Sequence, residues 1–269
     1  MESRNPAFRG NAFGRQAGGH GIPRPQQSHD MYNAPSYAPP APPSTRPMTM
    51  DDVVVRSFLT LATLLVTAAL SWKLVPADKA LPVLAVAVVA QLGIWAFITF
   101  GRKANAPLVL AFAAVYGVLI GVVSHTYNDL YHGVVLQAVV GTALAFGATL
   151  AVYARRIVRV TPKFTRFVIA AGLGLVGLMV LNLLVQVVGP DSGIGIRDPS
   201  NPLAYVFSVA AILIGCFFLL LDFDSIEQGV RSGAPEKFAW YCAFGLVLSL
   251  VWIYLEMLRL LSYFYGGRD

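Results

Sequence analysis

The sequence predicts an all-α polytopic membrane protein, a bundle of seven transmembrane helices. Three observations predict it. Of the 269 residues, 56% are hydrophobic and only 13% are charged, about half the charged share of an ordinary soluble domain. Seven apolar runs each approach the roughly 20 residues that cross a bilayer as a helix. Strand-type alternation is absent from those runs, which excludes a barrel.

Two regions follow. Residues 1–50 are rich in Pro, Gly, Gln, Ser and Arg, as in YAPPAPPSTRP. Such a stretch buries too little apolar area to offset chain entropy and reads as a disordered tail. Its positive charge and its aromatics (Phe8, Phe13, Tyr32, Tyr37) suit anionic lipid or a membrane-protein partner; a solvated cytosolic tail is the plainer reading. No short apolar segment with a small-residue cleavage site precedes it, so no removable signal peptide is expected. Residues 51–269 form the membrane domain.

The first run, 53–75, opens with TMDDVVVR. Thr49 or Asp51 can cap it, and acids in a first turn suit the helix dipole. The second, 81–100, carries no charge. The third is 107–123 and the fourth 133–153. The fifth, 164–188, is stopped by GPDSG. The sixth, 203–230, and the seventh, 235–265, carry acids. Small residues crowd the fourth and fifth runs, as GTALAFGA and as AAGLGLVG with Gly172, Gly174 and Gly177; such faces let helices approach closely. Asn182 and Gln186, one turn apart on the fifth run, read as interhelical hydrogen-bond partners or, alternatively, as pore-lining groups.

Lys and Arg set the orientation. Arg155, Arg156, Arg159, Lys163 and Arg166 follow the fourth run, and Arg102 and Lys103 follow the second. In a seven-helix chain these lie on one side with the tail, Arg231 and Lys237. The opposite loops hold Lys73, Lys79 and Arg197, with Arg268 near the C-terminus. The N-terminus is therefore expected in the cytoplasm and the C-terminus outside. The net charge of +6 speaks to this orientation rather than to nucleic acid.

Catalytic patterns are missing, so no enzyme and no cofactor are expected. His125 and His132 flank HTYNDLYH and could bind a metal with Asp129, but the spacing lacks a helical His pair, and exposed loop histidines are expected. DFDSIE lacks the central Gly and closing Glu of a calcium loop. Cys216 and Cys242 lie in apolar helices, which indicates neither disulfide frame nor metal cluster.

The acids are the candidate functional residues. An ionised carboxylate in hydrocarbon costs at least about 2–3 kcal/mol, so membrane helices that keep one usually use it. Two readings stay open. In one, Asp222, Asp224 and Glu227 mark the inner end of the sixth helix, and Glu256 sits near the outer surface, tied to Arg259 at i, i+3. In the other, the apolar continuation MLRLLSYFY places Glu256 within the membrane. Asp222 touches the apolar run directly; Asp224 and Glu227 read as surface acids.

LDFDSIE with Asp222, YLEMLRLL with Glu256, and the stretch YGVLIGVVSHTY followed by VVLQAVVGTALAFGAT resemble the transmembrane Bax-inhibitor-motif family. The resemblance runs from about Arg56 to Tyr265. The Pro-rich tail before TMDDVVV resembles a bacterial branch, hence an inner-membrane location. What the resemblance implies is a seven-helix fold with the last helix central. It also implies a pH-sensitive calcium leak in which two carboxylates share a proton and gate the path. Asp222 and Glu256 match the two acids. Close carboxylates titrate as a unit, and their ionised oxygens suit calcium as the transported ion. Three departures are evident. Glu256 replaces an aspartate, the two acids are further apart in sequence, and the second helix lacks the arginine that latches the helix-six acid. Arg56 of the first run is the candidate substitute, or Arg259 holds Glu256 instead, with Asp224 as a further supporting group. The competing function, drawn from bacterial relatives that resemble protease inhibitors, is a regulatory protein that binds a membrane protease or another membrane partner through residues 1–50.

Overall fold

The structure is a computed structural model that describes residues 46–101, 104–189 and 193–266. Most of the expected tail, together with Arg102, Lys103, Arg268 and the Pro190 stop, lies outside the described residues. The helices among them are α1 (Met50–Leu74), α2 (Ala80–Gly101), α3 (Ala106–Leu130), α4 (Val134–Ala154), α5 (Pro162–Val188), α6 (Pro202–Arg231) and α7 (Phe238–Gly266). A short 3-10 turn, Ala77–Lys79, leads into α2. All seven helices are long and apolar enough to cross a membrane. The chain is thus an all-α, multi-pass membrane protein.

Helix starts follow local chemistry. Thr49, rather than Asp51, caps α1. Its hydroxyl accepts from the Asp52 amide at 3.3 Å, while the Asp52 carboxylate accepts from the Thr49 amide at 2.9 Å. This reciprocal box satisfies two orphan donors at once. Thr161 and Asn201 cap α5 and α6, each followed by a proline in the first helical position, where its missing N–H costs nothing.

One boundary moves. The third run was expected to end at 123, with HTYNDLYH as a loop. Instead α3 continues to Leu130. His125 is therefore helical, stacks on Trp72 at 5.4 Å and lies 3.6 Å from Asp129, one turn on. Polar residues resemble a loop, but a helix that clears the bilayer keeps its backbone bonds by running on as helix.

In lipid, helix association rests on close packing more than on the hydrophobic effect. The tightest seam joins α1 to α3 through Gly117 and Gly121, a G-x-x-x-G pair. A Cβ on Gly117 would fall 2.3 Å from Leu64 O, and one on Gly121 2.2 Å from Ala68 O. The α5 glycines behave differently. Gly172 receives the Phe218 ring, but Gly174 and Gly177 have open space around them. Asn182 also departs from expectation: its side-chain oxygen accepts from the Ile194 amide at 3.0 Å and so ties down the α5–α6 loop rather than a neighbouring helix.

The last helix is central. α7 packs on α1, α3, α4 and α6. Its Leu246 and Ile253, its Val247, Val251 and Leu258, and its Phe244 enter three separate apolar clusters. At one end of the bundle, residues 46–48 lie against the α6–α7 turn. The Met48 amide donates to Ala234 O at 2.8 Å and the Glu236 amide to Arg46 O at 3.0 Å. Met48 is buried beneath this contact, beside Gly229.

Candidate functional site on the α6–α7 seam

α6 and α7 run antiparallel, and two positions set their register. Gly215 leaves room for Ile253 and Trp252, and the Trp252 indole N–H donates to Ala211 O at 2.9 Å. With that register, Asp222 faces Gly245 and Ser249. Ser249 Oγ donates to Asp222 Oδ2 at 2.6 Å, and a Cβ on Gly245 would fall 2.8 Å from Asp222 Oδ1. The missing side chain at 245 is what admits the carboxylate to the seam.

Glu256 lies on α7 and is only 4% exposed. The carboxylate is therefore inside the protein, and the pairing with Arg259 holds as well. Arg259 Nη1 donates to Glu256 Oε1 at 2.9 Å, and Arg197 Nη2 reaches the same oxygen at 3.3 Å. Arg197 comes from the α5–α6 loop, with its guanidinium 5.8 Å from the Phe207 ring centroid. Nothing in the sequence marked it as more than a loop charge. The other carboxylate oxygen, Oε2, is buried with no hydrogen-bond partner among the described residues. Ser208 Oγ is likewise unpartnered, and it lies beside the carboxylate just outside hydrogen-bond geometry.

The two acids occupy different levels of one seam. Ser249, which marks the Asp222 level, precedes Glu256 by seven residues on α7, about 10 Å at the helical rise. Each acid engages its own donors. A proton shared directly between them, as the resemblance implies, does not fit this register.

The supporting residues divide. Arg259 holds Glu256. Arg56 does not latch Asp222: it pairs with the Glu236 carboxylate and carbonyl at the start of α7, and stacks over Trp240 at 5.5 Å. Asp224 faces away from the seam and accepts from Gln228 Nε2 at 2.5 Å. Glu227 pairs with Arg231 and accepts from the Tyr153 hydroxyl. Among the described residues no three His, Cys, Asp or Glu side chains converge as a metal site.

No match was found among curated proteins. A family model described as Bax inhibitor 1 like matches residues 5–266. The match reaches well before Arg56 and so takes in the tail as well as all seven helices. The chain accordingly belongs to the Bax inhibitor 1 like family of membrane proteins.

Proposed function

We propose that this protein is a pH-sensitive cation leak, with calcium as the transported ion, controlled at two separate acids on the α6–α7 seam. The observation that carries the reading is the Glu256 carboxylate: one oxygen is held by two guanidiniums, and the other is buried without a hydrogen bond, beside an equally unpartnered Ser208 hydroxyl. A buried acceptor without a partner is costly, and a hard cation prefers such an oxygen. Asp222, further along the seam, supplies a second carboxylate at the level of Ser249.

In this reading protonation of Glu256 loosens its hold on Arg197 and hence on the α5–α6 loop. Protonation of Asp222 turns its contact with Ser249 from charged to neutral and so weakens the tie between α6 and α7. The two steps use separate protons, because each acid engages its own donors. The protein acts without catalysis. Its Lys and Arg bias fits a bacterial inner-membrane protein with the N-terminus in the cytoplasm and the C-terminus outside.

The test is calcium flux into liposomes holding the purified protein, titrated against pH. Glu256→Gln and Asp222→Asn are each expected to shift the pH response, and the double variant to abolish it. Flux that keeps the wild-type pH response in all three variants removes the reading. A regulatory protein working through residues 1–50 would instead lose partner capture, not flux, on deletion of residues 1–45.

A further inference from the structure

A second polar site lies at the opposite end of the bundle from Glu256. There a cleft of about 390 Å³ is bounded by Tyr153, Arg156, Arg159, Asp224, Glu227 and Arg231. That volume falls in the range of small-ligand pockets. Its acids are already engaged: Glu227 by Arg231 and Tyr153, Asp224 by Gln228. Arg156 and Arg159 form no salt bridge among the described residues, although the Arg156 charge acts on Glu227 at longer range, so the guanidiniums lining the cleft exceed its carboxylates by one.

The backbone adds an independent observation. α4 ends in a Schellman turn: the Arg156 amide donates to Tyr153 O at 2.9 Å and the Ile157 amide to Val152 O at 3.1 Å. The residue that donates the first of these bonds must be left-handed, and glycine usually fills that place. Here it is Arg156, with φ of 54°, the one non-glycine residue with positive φ among the described residues. A side chain with a Cβ is sterically disfavoured there. Such outliers cluster at binding sites, where the constraint is part of the function. Arg156 at this turn and Arg159, three residues further along the α4–α5 connection, both line the cleft.

We propose that this cleft binds the phosphodiester headgroup of an anionic membrane lipid, held by Arg156 and Arg159. Guanidinium forks match phosphate oxygens in geometry and charge. The Asp224 carboxylate offers an acceptor to headgroup hydroxyls, as on a glycerol. A lipid is favoured over soluble phosphate because the cleft lies where α4 ends and α5 begins, at the rim of the spanning bundle. The α5 helix that begins there exposes Ile169 and Leu173 on one face, an apolar surface on which acyl chains can lie.

The test is lipid retention by purified protein in detergent, read by native mass spectrometry with phosphatidylglycerol and phosphatidylcholine as probes. The wild type is expected to retain phosphatidylglycerol preferentially, and Arg156→Gln and Arg159→Gln each to weaken retention about fivefold, the usual worth of one basic residue at an anionic surface. Arg156→Gly relaxes the turn, so it is expected to weaken retention as Arg156→Gln does while its thermal midpoint stays level or rises; this separates binding from folding. Arg155→Gln and Arg166→Gln, outside the cleft, are expected to leave retention unchanged. Three results would overturn the proposal: equal retention of the two lipids by the wild type, unchanged retention in Arg156→Gly, or an equal loss in the Arg155 and Arg166 variants, which would point to diffuse loop charge. Displacement of the lipid by millimolar inorganic phosphate would assign the cleft to soluble phosphate and overturn the lipid assignment.

Discussion

Asp222 and Glu256 share one helix–helix seam but are held by opposite means. Asp222 meets a neutral hydroxyl from the facing helix and a glycine that makes room for it. Glu256 meets two guanidiniums, one from its own helix and one from a loop. The first tie crosses between helices; the second does not. Disturbing Asp222 therefore acts on α6 against α7, while disturbing Glu256 acts on the α5–α6 loop. One seam thus carries two control points with different mechanical consequences, where the family resemblance alone suggests a single shared proton.

The largest expected effect is at Arg259. Its side chain is 27% exposed, against 5% for that of Glu256, so removing it leaves a buried carboxylate with Arg197 alone. Breaking a buried pair costs about 3–5 kcal/mol when nothing else compensates. With Arg197 still in place, Arg259→Met is expected to cost about 2–3 kcal/mol in detergent unfolding. Adding Glu256→Gln should recover most of that loss, because the uncompensated charge disappears. A cost near zero for Arg259→Met would make the Glu256 level a solvent-screened surface pair and erase the contrast with Asp222.

The Asp222 level should respond more mildly and in a different pattern. Ser249→Ala removes a single hydrogen bond to a carboxylate and is expected to cost about 1.5–2 kcal/mol, the lower part of the range for bonds to charged groups. Gly245→Ala inserts a methyl against Asp222 Oδ1 and is expected to cost about 1–2 kcal/mol by overpacking. Both act on one carboxylate, so their costs should not add; the double variant should be less damaging than the sum. Strict additivity in that cycle would mean that Gly245 does not position Asp222.

Much of this architecture was legible in the sequence. Seven spans follow from run length, and both acids stand out because charge within an apolar run is costly. The separation of the acids was not legible. It depends on the α6–α7 register, which glycines at 215 and 245 set through contacts that no spacing announces. Arg197 was invisible for a similar reason: a loop arginine counts toward orientation, and only the folded loop brings it to Glu256. Attention to the α5 glycines missed the pair at 117 and 121, since composition cannot tell a lipid-facing glycine from one pressed against a backbone. HTYNDLYH misled because polarity at a helix end resembles a loop.

The smallest effect separates the loop's own chemistry from that of Glu256. Beside Arg197, Asp198 accepts from the Ser200 hydroxyl at 2.7 Å and the Ser200 amide at 2.9 Å. The hydroxyl first and then the amide hold its carboxyl below the usual range. A depressed acid contributes fully above its unfolded value, about 3.9, and that contribution is lost as pH falls through the lower folded value. The turn should therefore be indifferent to pH between 8 and about 5, and Asp198→Asn should change little there. Amide exchange of the α5–α6 loop across that window isolates the other tie. A step in exchange that persists in Asp198→Asn and vanishes in Glu256→Gln belongs to the Arg197–Glu256 contact. A step that instead follows Asp198 would show that the loop carries its own switch and that Glu256 only anchors it.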